Sequence, residues 1–137
     1  MLEDFIEVNK LKATIIQKPI LGPNAAKCVL YLRDNPALKP ALAVFMRKDH
    51  IDFDKVSGLF PGSKLREANA KESFNVTGYK KGFIPPISVY GVIVVLDSKA
   101  AEKGSLYVPV SDLSTLEVSV SEIKEMNEDF IIGDITR

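Results

Sequence analysis

Apolar and polar residues alternate from Ala26 to Arg33. On a strand, Ala26, Cys28, Leu30 and Leu32 face one side, and Lys27, Val29, Tyr31 and Arg33 the other. Turn formers at Asp34-Asn35-Pro36 and Lys39-Pro40 then lead to the apolar stretch Ala41 to Met46, which reads as its antiparallel partner. Val92 to Leu96 is continuously apolar and β-branched, predicting a central strand buried on both faces. Shorter strands are expected around Ala13 to Gln17, Lys64 to Glu67, Leu106 to Val110, Leu116 to Val120 and Phe130 to Ile135.

Helix signals fall between these runs. Residues 3–9 suit one or two helical turns. Asp52 is placed to cap a helix over Phe53 to Leu59, which Phe60-Pro61-Gly62 ends. Asn69 stands three residues before Glu72, close to a capping box, and that helix should stop at Gly78. Asp97-Ser98 terminates the central strand and can cap a short turn over Lys99 to Lys103, and another helix is expected near Ser121 to Met126. Strands that arrive both in pairs and alternating with helices predict an α+β fold: a mixed, curved, β-barrel-like sheet flanked by short helices. The length of 137 residues suits one domain spanning 1–137.

Composition narrows the classes. No apolar run reaches the roughly 20 residues of a membrane-spanning helix, and Glu3, Asp4 and Glu7 replace the basic start of a signal peptide. The expected location is the cytoplasm. Cys28 is the single cysteine and His50 the single histidine, so neither a disulfide nor a Cys/His zinc cluster can form within the chain. Cys28 within its apolar run reads as a small buried hydrophobe rather than a thiolate, and His50, among Arg47, Lys48 and Asp49, as a solvated turn residue rather than a general base. Net charge is zero, yet residues 1–90 hold 14 Lys and Arg against 9 Asp and Glu, and residues 91–137 hold 4 against 9. That asymmetry permits a basic face, or simply an ordinary solvated surface.

Glycine-rich phosphate loops and the Gly-x-Ser-x-Gly elbow are missing. Two features remain as candidate chemistry. One is Lys27, a charge at the start of an otherwise apolar strand, readable as a ligand-binding cation or a snorkelling edge lysine. The other is the loop from Thr77 through Gly78, Tyr79, Gly82 and Phe83 to Pro85 and Pro86. Its glycines allow positive φ and close approach of a ligand, and its backbone N–H groups could face an oxyanion; it also reads as a plain helix-to-strand connection.

These residues carry a resemblance. Ala26-Lys27-Cys28-Val29-Leu30, Ile51-Asp52-Phe53-Asp54-Lys55-Val56 with the following Gly62-Ser63-Lys64, the Thr77-Gly78-Tyr79 loop with Gly82 and Pro86, and Val94-Val95-Leu96-Asp97 followed by Leu106-Tyr107-Val108 stand in the order of the YbaK/ProX aminoacyl-tRNA deacylases. That family also occurs as the editing insertion of bacterial prolyl-tRNA synthetases, and the chain resembles it from about Leu21 onward. The resemblance implies a pocket for the 3′-terminal aminoacyl-adenosine of a mischarged tRNA, an essential lysine at Lys27, and no metal or other cofactor. Hydrolysis would rest on bound water, the substrate's ribose hydroxyl and backbone donors at Gly78, Gly82 and Phe83. Tyr79, Pro85, Pro86, Asp97, Val110 and Ser111 would border the substrate, with Tyr79 either stacking on adenine or packing in its loop, and Asp97 either binding or capping a helix.

The chain departs from the family at Phe83, where a second glycine is common, at Pro85, where a serine is common, and at Pro109 to Asp112, where a glycine-rich turn is usual. These positions bear on which amino acid is removed. By analogy the expected substrates are alanyl- or cysteinyl-tRNA(Pro), with an aminoacyl-tRNA synthetase as a further partner. The alternatives are a non-catalytic tRNA- or synthetase-binding module that has lost hydrolysis, and a protein–protein regulator using the same groove.

Overall fold

A computed structural model describes all residues, 1–137. Its elements run α1 (Leu2–Val8), β1 (Thr14–Ile16), β2 (Ala26–Arg33), β3 (Ala41–Met46), α2 (Phe53–Gly58), β4 (Leu65–Glu67), α3 (Ala70–Thr77), β5 (Ile93–Asp97), α4 (Ser98–Ala101), β6 (Ser105–Ser111), β7 (Ser114–Ser119), α5 (Val120–Glu125) and β8 (Phe130–Gly133). The strands form two sheets, one ordered β4-β2-β3-β5-β8 and the other β1-β7-β6. One parallel β-bridge, Ala25 to Tyr107, links their backbones. The expected curved sheet is thus divided in two, and no barrel closes.

Alternation along β2 and β3 explains the layering. Leu30, Leu42, Val44, Met46, Val94 and Leu96 are buried in one cluster with Leu106, Val108, Leu116 and Val118 of the smaller sheet. The opposite face holds Tyr31, Ala41, Ala43, Phe45 and Val95, covered by Val56 and Phe60 from the α2 region and by Ile135. Every residue of β3 is therefore buried. Small residues at 41 and 43 leave room for the covering helix. β5 lies between β3 and β8 and runs parallel to both, as its unbroken apolar character predicts.

Local chemistry sets the boundaries. Asp52 accepts from the N–H groups of Asp54 and Lys55 and so caps α2. Asn69 and Glu72 form a reciprocal capping box on α3, which ends at Gly78 with φ 78°. Arg66 adds a bidentate pair to Glu72, and that guanidinium holds the Glu72 carboxyl at about 2, well below its ordinary value. No helix is long and apolar enough to cross a membrane.

Candidate active site

β2 is closed on both edges along only part of its length. β3 pairs with it from Ala26 to Tyr31, whereas β4 reaches only Tyr31 to Arg33. The Arg47 N–H donates to the Ala25 carbonyl at 2.8 Å, so the odd-numbered residues of β2 turn their amides toward β3. Even-numbered residues turn theirs outward, and the Leu30 carbonyl there accepts from the Ala68 N–H at 2.9 Å. Cys28 also points outward, but no strand lies opposite it.

This open edge is the floor of a cavity of about 550 Å³. One wall is the loop from Lys81 to Ile84, another the β6–β7 hairpin at Ser111, Asp112 and Thr115, and a third the segment Pro19 to Leu21. The hairpin wall is tied down by the Thr115 hydroxyl, which donates to the Lys18 carbonyl at 2.8 Å. Lys27 lines the cavity, with its ammonium 5.2 Å from the centroid of the Phe45 ring. It takes part in none of the chain's five ion pairs. Lys81, by contrast, is held by Glu67 at 2.9 Å.

The glycine-proline loop is built by its own hydrogen bonds. The Thr77 hydroxyl donates to the Ser73 carbonyl at 2.6 Å and accepts from the Tyr79 N–H at 3.0 Å. The Phe83 N–H donates to the Lys80 carbonyl at 2.9 Å, closing a β-turn. Gly82 occupies the third position of that turn with φ 92°, where a type II turn calls for glycine. Pro85 and Pro86 are buried, and the Pro86 carbonyl accepts from the Asn127 amide at 2.8 Å, which anchors the exit.

These bonds correct the expected set of donors. The Gly78 N–H is spent on the Phe74 carbonyl and the Phe83 N–H on Lys80, so neither can face an oxyanion. The N–H groups of Gly82 and Ile84 have no acceptor within the protein, and both residues line the cavity. Ile84 escapes sequence reasoning because its side chain looks like plain core, and only the closed turn before it shows its amide to be free.

The remaining candidates separate cleanly. Lys27, Gly82, Phe83 and Ser111 share the cavity, whereas Gly78, Tyr79, Pro85, Pro86, Asp97 and Val110 are not among its lining residues. The Tyr79 hydroxyl donates to the Ser88 hydroxyl at 2.9 Å, and the ring packs on the core. Val110 packs on the same core. Asp97 is fully buried and accepts from the N–H groups of Lys99 and Ile135 and from the Thr136 hydroxyl. Ser111 shares a 2.5 Å hydrogen bond with Ser114 across the hairpin. Burial pushes the Cys28 thiol above its ordinary pKa, which keeps it neutral and unsuited to nucleophilic attack.

Comparison with known proteins bears on the fold and the family. A solved hypothetical protein is 18% identical, covers 99% of both chains and superposes with a TM-score of 0.83. A candidate trans-editing enzyme for prolyl-tRNA synthetase is 14% identical over 99% of this chain and 94% of its own, with a TM-score of 0.84. A signal-transduction protein from Marinobacter aquaeolei VT8 is 17% identical and covers 90% of this chain but 27% of its own, with a TM-score of 0.68. At such identities these likenesses establish the fold alone. No curated protein matches the sequence. The family profile described as the aminoacyl-tRNA editing domain matches residues 9–125, and the chain belongs to that YbaK-type family.

Proposed function

We propose that this protein hydrolyses the ester of a mischarged aminoacyl-tRNA, binding the 3′-terminal aminoacyl-adenosine in the cavity at the open edge of β2. Family membership supports aminoacyl-tRNA editing in general. The single observation that carries the site assignment is the meeting of an unpaired cation, Lys27, with two unbonded amides, those of Gly82 and Ile84, in one cavity.

An aminoacyl ester is already activated, so it needs a positioned water and a stabilised oxyanion rather than a nucleophilic triad. Water adds to the ester carbonyl carbon, and the developing oxyanion is met by the N–H groups of Gly82 and Ile84 and by the Lys27 ammonium. The bond to the ribose oxygen then breaks, and the neighbouring ribose hydroxyl relays the proton from the attacking water to that oxygen. The products are a free amino acid and an intact tRNA. The cavity's apolar lining, from Ile20, Leu21, Phe83 and Pro109, suits a small uncharged side chain such as that of alanine or cysteine.

The test is release of amino acid from a panel of mischarged tRNAs, alanyl- and cysteinyl-tRNA(Pro) among them. Lys27→Ala should lower turnover at least ~10²-fold, the scale of one lost electrostatic contact to the transition state. Its side chain is exposed, so folding should survive. Full activity in that variant would remove Lys27 from the mechanism.

A further inference from the structure

Arg47 sits one residue beyond β3, opposite Ala25, and lines the same cavity as Lys27. Lys27 is opposite Phe45, so Arg47 is its diagonal neighbour on one face of the sheet, with side chains emerging about 7–8 Å apart. Arg47 is exposed and joins no ion pair or side-chain hydrogen bond. Of the three cations lining the cavity, Lys81 is neutralised by Glu67, which leaves Lys27 and Arg47 uncompensated on this edge. The one acidic residue in the lining, Asp112, belongs to the hairpin wall.

Two adjacent free cations repel each other, and the cost is recovered when an anion binds between or beside them. Arginine presents a planar fork of donors that matches two phosphate oxygens, whereas an ammonium acts as a point charge. The cavity has apolar walls at Leu21, Phe83 and Ile84, and its cationic edge is at Lys27 and Arg47. An aminoacyl-adenosine likewise places the amino acid's side chain and the 5′-phosphate about one nucleoside apart.

We infer that Arg47 grips the terminal phosphodiester of a single-stranded 3′ end whose ester lies at Lys27. This rests on the editing reading of the cavity and adds to it a requirement for a phosphate-bearing substrate. Arg47 is a binding residue in this arrangement and takes no part in bond making.

The experiment compares two esters with the full-length protein: a mischarged tRNA, and the same amino acid esterified to adenosine without phosphates. Arg47→Gln should raise KM for the tRNA by about 10-fold or more while leaving kcat unaltered, as expected for loss of a charge-assisted contact. The salt dependence of tRNA binding should flatten by about one phosphate contact, and Arg47→Lys should restore part of the affinity. Hydrolysis of the adenosine ester should be the same in Arg47→Gln as in the unaltered protein. An unchanged KM for tRNA, or an equal loss on both esters, overturns the role of Arg47 while leaving the editing reading in place. Failure of the unaltered protein to cleave either ester removes the editing reading, and the role of Arg47 falls with it.

Discussion

The edge of β2 that faces away from β3 is covered by β4 from Tyr31 to Arg33, and around Cys28 and Val29 it opens on the cavity. In the closed half the backbone is taken up by β4, and the Leu30 carbonyl has its partner in Ala68. Along the open half the outward amide of Cys28 has no strand opposite, and the facing loop adds the free N–H groups of Gly82 and Ile84. Unbonded amides beside an uncompensated lysine are the groups that the proposed substrate would engage. Asp97 shows the opposite condition: a buried carboxylate whose oxygens are occupied by Lys99, Ile135 and Thr136. A charged residue in an apolar strand can thus be functional or structural, and its partners decide which.

Substitutions on the two sides of this contrast should behave differently. Gly82→Ala has open space for its Cβ, so its cost lies in the φ of 92°, about 1–2 kcal/mol for an L-residue. The turn should shift to relieve that strain and carry the Gly82 and Ile84 amides off target, with turnover falling about 10²-fold. Undiminished turnover in a folded Gly82→Ala protein would break the assignment of those donors. Asp97→Ala should do the reverse. Urea unfolding should show a loss of about 2 kcal/mol from the stranded donors, with turnover per folded molecule unaffected. A catalytic defect without a stability defect would instead place Asp97 in the site.

Smaller effects belong to the closed half. Asn69→Ala removes the cap of α3, next to β4, and should lower stability by about 1 kcal/mol in thermal unfolding. Glu72 has a folded pKa lowered to about 2 from 4.5, chiefly by Arg66 and then by the Asn69 N–H. Its contribution is therefore complete above pH 4.5 and disappears as pH falls toward 2. The difference in Tm between the protein and Glu72→Gln should be constant at neutral pH and shrink across that acidic window. A difference that persists at pH 2 would mean the ion pair is not its source.

Much of the fold is legible in the sequence because its signals are local. The alternation of Ala26 to Arg33, the capping pair Asn69 and Glu72 and the unbroken run before Asp97 each specify their element. The split into two sheets is not legible, since it depends on which strands leave edges unpaired far apart in the chain. The site divides in the same way. Lys27 stands out against its apolar neighbours, and Gly82 against the residues around it. Phe83 and Gly78 looked equally able to donate, and only the tertiary bonds to Lys80 and Phe74 show their amides to be spent. Nothing in the sequence separates Arg47 from the other basic residues, and only the register with Ala25 puts it beside Lys27.

The convergence of Lys27 with the free amides of Gly82 and Ile84 is most directly tested by backbone amide NMR during titration with an amide-linked, hydrolysis-resistant aminoacyl-adenosine. The largest shifts should fall on Lys27, Cys28, Gly82 and Ile84, while Tyr79 and Asp97 stay nearly still. Shifts centred on Tyr79 or Asp97, with Gly82 and Ile84 unmoved, would contradict the account.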